Sequence, residues 1–346
     1  MDKKRVVVAM SGGVDSSVAA ALLKQTGYDV SGIHMRLGAD IMFSNLEALE
    51  RTCKLLDMPL YKLDLESEFK ELVIDYFCQE YGRGRTPNPC VACNQSVKFG
   101  IVLKKALEMG ATCFATGHYA RVEATLEGYK LKRAVDITKD QSYFLYGLGQ
   151  EQLQCLLLPL GEMTKERVKT IAKEMKLPAG EHRDSQDVCF IPDNDYRAFI
   201  AEKVPLRAGG IVDINGRILG EHGGLALYTV GQRQGLGLTS EEPLYVLKID
   251  AESNEIVVGN REQALHNVLL SRKLSWISGR SPELPIAVTA KIRYQAPEAA
   301  AELYPGDDGV EVRFFEPQSA MAPGQSIVFY QNDEVLGGGI IDAVLY

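Results

Sequence analysis

No cysteine follows Cys189, and the seven in the chain (Cys53, Cys78, Cys90, Cys93, Cys113, Cys155 and Cys189) are odd in number. Such a distribution does not fit a secreted disulfide framework, and it concentrates any thiol chemistry in the first part of the chain. No apolar run approaches the ~20 residues that a membrane span needs. The opening MDKKRVVVAMSGG has neither a long apolar segment nor a small-residue cleavage site, so a cytoplasmic protein with no membrane partner is expected. Internal repeats and low-complexity linkers are absent too. The formal charge of −8 argues against a protein that coats nucleic acid indiscriminately, but it leaves a local basic face open. One candidate is TKERVKTIAKEMK, where Lys165, Arg167, Lys169, Lys173 and Lys176 outnumber Glu166 and Glu174; an ordinary solvated helix face is the default for it.

At 346 residues, 46% of them hydrophobic, the chain can fill two or three domains. RVVVAM (5–10) is an unalternated β-branched run, as a strand buried on both faces requires. A helical pattern from Ser17 to Gln25 and a second strand, DVSGIHMR, complete a βαβ unit. PLYKLDL (59–65) and ATCFATGHY (111–119) read as further strands, and 67–81 and 95–109 as helices. Alternating strands and helices predict an α/β domain, a doubly wound parallel sheet over 1–204, with ligands at the carboxyl ends of its strands. Beyond it, glycine-punctuated short strands predict a small β-rich central domain over 205–270. Alternating pieces such as IAVTAKIRY and QSIVFY predict a C-terminal β-barrel over 271–346.

MSGGVDSS (10–17) follows the first strand and opens the first helix. A Gly-Gly turn lets the backbone come close to a phosphate, and the N–H groups of a helix start supply partial positive charge to it. No Gly-Lys-Ser/Thr occurs, so a lysine-held γ-phosphate is not expected. The stretch resembles the SGGxDS loop of the ATP-pyrophosphatase (PP-loop) superfamily. That resemblance implies that Ser11, Gly12, Gly13, Asp15 and Ser16, flanked by Ala9, Met10 and Val14, surround the phosphates of ATP, with Mg²⁺ near Asp15. The bland alternative is a glycine turn capped by Asp15 and Ser16.

GRTPNPCVACN with VKFG, ATGHYAR, KDQSYFL, DSQDVCFIP, TVGQRQGLGL, KIRY and APGQS then follow in order along the chain. Together they resemble the tRNA-specific 2-thiouridylases, the MnmA/TrmU family. The resemblance implies ATP-dependent adenylation of the C2 oxygen of the wobble uridine in a tRNA anticodon loop, then its replacement by sulfur. It implies Cys189 as carrier of a persulfide supplied by a donor protein. Cys93 becomes the nucleophile that frees the sulfur and closes a disulfide with Cys189. It also implies adenosine contacts at Met35 and Gly117, and tRNA contacts at Asn88, Pro89, His118, Lys139, Asp140, Gln141, Arg293, Tyr294 and Gln325. The chemistry agrees, because a uracil carbonyl is a poor electrophile until its oxygen leaves as AMP, and a thiol must then supply a sulfur that outcompetes water. A wobble base in a loop can be splayed out and read, whereas a paired base would be hidden.

Each feature has an alternative. Cys53, Cys78, Cys113 and Cys155 read as small buried hydrophobes, while Asp184, Ser185, Gln186 and Asp187 place Cys189 on a polar loop. Cys90 stands where many members of the family carry aspartate, and a thiol is too weak an acid to take that role without question. It also creates Cys-x-x-Cys, so Cys90, Cys93 and Cys189 could hold a [4Fe-4S] cluster instead of relaying a persulfide. The segment RLGADIMFSNLEALERTC is shorter and less acidic than its counterpart in the family. Two rival functions remain open: a PP-loop synthetase adenylating a small molecule, and an RNA-binding protein without catalysis.

Overall fold

A computed structural model describes residues 3–38, 46–178, 188–191 and 195–345. The first domain is built on five parallel strands, β1 (Arg5–Ala9), β2 (Asp29–Arg36), β3 (Leu60–Asp64), β4 (Cys113–Ala115) and β7 (Leu156–Leu157), in the order β3-β2-β1-β4-β7. Val6 and Val8 pack to one side of the sheet with Ala20 and Leu23 of helix α1 (Val14–Gln25). Val7 packs to the other with Ile33 and Phe114. Both faces are therefore apolar, which is why β1 carries no alternation. From β1 the chain winds outward to β3 and then returns to place β4 on the other side of β1. Between β1 and β4 lies the topological switch point where such sheets bind ligands.

The cysteine helix starts at Pro89–Ala92, continues as a π-helix over Cys93–Val102 and ends as an α-helix over Leu103–Glu108. Its N-cap is Asn88, whose Oδ1 accepts from the Val91 N–H at 3.2 Å, and Pro89 takes the first helical position, where a missing N–H costs nothing.

A hairpin, β5 (Ala120–Thr125) and β6 (Gly128–Arg133), leaves the first domain and is not anticipated by the expected helix–strand alternation. It joins the far sheet, where Leu131 and Lys132 of β6 pair with Val335 and Glu334. The central domain has four strands, β8 (Gly209–Val212), β9 (Ile218–His222), β10 (Tyr245–Asp250) and β11 (Glu255–Gly259). The barrel comprises β12 (Leu265–Trp276), β13 (Ile286–Lys291), β14 (Ala299–Gly306), β15 (Gly309–Ser319), β16 (Ser326–Gln331) and β17 (Glu334–Leu345), closed by pairing of β12 with β17. The expected boundary at 270/271 therefore falls inside β12, because Leu265–Leu270 already pair with β15 and β17. The strand expected over 111–119 is only the three residues of β4, since the chain turns at Thr116–His118 to reach the hairpin. Among the described residues no helix is long and apolar enough to cross a membrane.

Candidate active site

The loop after β1 folds around its own hydroxyls. Gly12 adopts a φ of +85°, the Gly13 N–H donates to Ser11 Oγ at 3.3 Å, and Ser16 Oγ and Ser17 Oγ donate to the Gly13 carbonyl at 3.2 and 2.9 Å. Gly13 caps α1 without a side chain, leaving the helix start open to an anion. Gly117 closes the other side: a Cβ there would lie 2.8 Å from backbone atoms of Asp15 and Ser16. The turn at 116–118 can approach the helix start this closely only because residue 117 has no side chain. Ala9 and Met10 lead into the loop, and Met35 lies near the carboxyl end of the neighbouring strand β2.

Asp15 does not face solvent alone. Lys165 Nζ donates to its two carboxylate oxygens at 2.9 and 2.7 Å, and Tyr119 donates its hydroxyl at 2.8 Å. Lys165 is only 3% exposed, so it leaves the basic helix face expected for it and turns inward. The sequence held the signal: in the helix Lys165–Glu174, Lys165 shares the stripe of Val168 and Ala172, both buried. A loop offering helix N–H groups, a carboxylate and an ammonium fits a polyphosphate with a divalent cation. Asp15 is the side chain that would hold Mg²⁺, which would offset charge on the phosphates.

Three thiols lie within electrostatic reach of one another. Cys90 and Cys93 lie one turn apart on the cysteine helix, near its N-terminus. Cys189 sits in the turn Val188–Ile191, closed by the Ile191 N–H donating to the Val188 carbonyl at 3.0 Å. Phe190 anchors that turn among Phe69, Phe77 and Phe199. Cys93, 7% exposed, and Cys189 belong to one apolar cluster, and all seven thiols are free. Burial pushes Cys90 up to about 11 and Cys189 up to about 12, and it raises Cys93. Cys90 also feels the charge of Cys93, and Cys189 feels those of both, so the three titrate as a set.

A Cys90 thiol held this high cannot replace a carboxylate as a neutral-pH acid or base. Among the described residues no three His, Cys, Asp or Glu side chains are arranged to hold a metal ion. Of the cysteines expected to be buried hydrophobes, Cys53 is buried, but Cys78, Cys113 and Cys155 are partly exposed. Asp184–Asp187, and residues 39–45 of the segment expected to be short and less acidic, lie outside the described residues.

His118 links the two halves. Its Nδ1 is 2.7 Å from Thr116 Oγ1, its ring lies 5.8 Å from that of Phe99 on the cysteine helix, and burial keeps it neutral by lowering its pKa well below the ordinary value. Several residues expected against tRNA are engaged within the protein. Asp140 accepts from the Ala134 N–H at 2.9 Å and from Ser142 Oγ at 2.7 Å, and Gln141 Oε1 accepts from the Tyr119 N–H at 3.0 Å. Arg293 donates to the Val230 carbonyl at 2.7 Å, Gln325 to the Pro87 carbonyl at 3.4 Å, and Tyr294 packs on Phe144 with ring centres 4.4 Å apart. Through Arg293 and Gln325 the barrel is bonded to the central domain and to the segment that precedes the cysteine helix.

Family models cover nearly the whole chain: one described as a tRNA methyl transferase HUP domain matches residues 4–193, a tRNA methyl transferase PRC-barrel domain matches 197–260, and an aminomethyltransferase beta-barrel domain matches 266–341. Similar over full length is the tRNA-specific 2-thiouridylase MnmA 1 of Caldanaerobacter subterraneus subsp. tengcongensis, at 48% identity over 98% of either chain. The corresponding proteins of Geotalea uraniireducens, at 47% over 98% of this chain and 95% of that one, and of Clostridium perfringens, at 45% over 100% of each, are similar to the same extent.

Proposed function

The chain belongs to the tRNA-specific 2-thiouridylase family, and from that premise we propose how its residues carry out ATP-dependent thiolation of a tRNA uridine. The observation that carries the reading is the turn at 116–118: Gly117 touches the nucleotide loop while His118 touches the cysteine helix. A base delivered to that turn would lie between phosphate and sulfur.

At the loop, the C2 oxygen of the wobble uridine attacks the α-phosphorus of ATP; the new O–P bond forms as the bond to pyrophosphate breaks. The α1 N–H groups stabilise the departing charge, and Asp15 is the residue that would hold Mg²⁺, which would supply further neutralisation of phosphate charge. At the thiols, a donor protein leaves a persulfide on Cys189. The Cys93 thiolate attacks its inner sulfur, a Cys93–Cys189 disulfide forms, and hydrosulfide leaves. Hydrosulfide adds to C2, AMP departs with the C2–O bonding pair, and loss of a proton gives 2-thiouridine. Two electrons from an external dithiol reopen the disulfide before the next turnover. Burial of Cys93 keeps water from competing. Asn88, Pro89, His118, Lys139, Asp140, Gln141, Arg293, Tyr294 and Gln325 flank the path of the anticodon loop, those engaged within the protein exchanging these partners for RNA.

Mass spectrometry of tRNA nucleosides after incubation with ATP, Mg²⁺ and a low-molecular-weight persulfide tests this. Alanine at Cys93 or Cys189 should remove 2-thiouridine at least 100-fold while tRNA-stimulated pyrophosphate release persists; undiminished thiolation in the double variant would refute the relay.

A further inference from the structure

The cysteine helix does not stay α-helical past its thiols. From Cys93 to Val102 its backbone bonds run i to i+5, a rare conformation frequently found at functional sites. The wider π spiral brings residue i+5 much closer to the face of residue i than an α-helix does, where the same spacing falls toward the opposite side. The residue five beyond Cys93 is Lys98. It is half-buried, and among the described residues its ammonium makes no hydrogen bond or ion pair.

We propose that Lys98 is a positioning residue of the sulfur-transfer step, the ammonium that, among the described residues, draws thiolate charge onto Cys93 and steadies the anionic sulfur leaving Cys189. The inference rests on the persulfide reading above and assigns its electrostatics. Lys98 acts electrostatically on Cys90 and Cys93 of its own helix, on Cys189 in the 188–191 turn and on His118 in the turn after β4. The thiols and His118 are neutral at rest, so Lys98 is the one charge among them. Its field favours ionisation of Cys90, Cys93 and Cys189 against their burial, and it further disfavours a proton on His118.

The three thiols are coupled in that field: once one has ionised, its charge opposes ionisation of its neighbours, so a single thiolate is favoured over two.

The test is residue-resolved alkylation with iodoacetamide, quantified by mass spectrometry between pH 8 and pH 9.5, where rate follows thiolate fraction. Removing a nearby cation raises a thiol pKa, so K98M should move the Cys93 and Cys189 profiles to higher pH. A roughly tenfold smaller thiolate fraction, partly offset by the greater nucleophilicity of the more basic thiolate, slows alkylation about threefold. K98R should restore both rates, and K98Q gives the same reading if K98M does not fold. Cys53 is the internal control, buried in another cluster beside Glu50, whose charge raises it.

In the unaltered protein, 1 M salt should slow Cys93 and quicken Cys53, since it screens opposite charges. Unchanged Cys93 and Cys189 rates in K98M, equal slowing of Cys53, or salt effects of one sign would overturn the assignment. These readouts use no tRNA, so they fail independently of the relay, which the alanine variants at Cys93 and Cys189 judge.

Discussion

At the nucleotide loop the buried cation is already paired: Lys165 spans both oxygens of Asp15, with Tyr119 as a third contact. At the thiol site the cation Lys98 has no carboxylate among the described residues, and the thiols around it are held protonated by burial. The two regions share the turn at 116–118 but meet charge differently. A site that takes a polyphosphate benefits from charges fixed before the ligand arrives, because reorganisation at the moment of reaction is then avoided. A site that stores reduced sulfur benefits from staying neutral, because the thiolate is the form that oxidises.

The largest test of this contrast is Lys165→Met. It leaves the Asp15 carboxylate in a partly buried place with its cation removed. Breaking such a pair costs about 2 kcal/mol after allowance for the exposure of Asp15. Thermal or denaturant unfolding should register that loss, and tRNA-stimulated pyrophosphate release should fall about 100-fold. Adding Asp15→Asn should recover most of the stability and none of the pyrophosphate release. Alkylation rates of Cys93 and Cys189 should not change, and their change would mean that the two regions are not electrically separate.

Next in size is Gly117→Ala. Its Cβ would overlap backbone atoms of Asp15 and Ser16 rather than a flexible side chain, so the turn must move away from α1. Overpacking of this kind costs about 1–3 kcal/mol. ATP binding measured by calorimetry should weaken at least tenfold with thiol reactivity intact.

How far each region is legible in the sequence follows from how local it is. MSGGVDSS carries the strand end, the turn and the helix start in eight consecutive residues, so its glycines and hydroxyls can be read as one device. Lys165 cannot be placed by the same reading: its membership of a basic run outweighs the buried stripe it shares with Val168. The thiol pair emerges from motif resemblance, and its shared cluster depends on Phe190 meeting Phe69 and Phe77 across more than a hundred residues of chain. The β5–β6 hairpin escapes because its strands belong to the sheet of another domain, which no local period reports. Lys98 escapes because spacing by five falls off an α-helical face, whereas the helix here is a π-helix and Lys98 acts electrostatically on Cys93.

The smallest expected effect lies at the turn between the regions. Thr116→Val removes the hydroxyl that meets His118 Nδ1 at 2.7 Å and keeps the buried shape of the side chain. An unmade bond at a buried ring nitrogen costs about 1–2 kcal/mol, which the fold can tolerate. Pyrophosphate release reports the nucleotide side alone, and alkylation reports the thiol side alone; both should stay within about twofold of the unaltered protein. Formation of 2-thiouridine requires the adenylated base and the sulfur to be held in register, and a displacement of a fraction of an ångström there costs rate without costing either partial step. Thiolation should therefore drop about three- to tenfold while both partial activities stand. Equal losses in all three would mean that the turn merely supports one of its neighbours, and the idea that it aligns phosphate with sulfur would have to be abandoned.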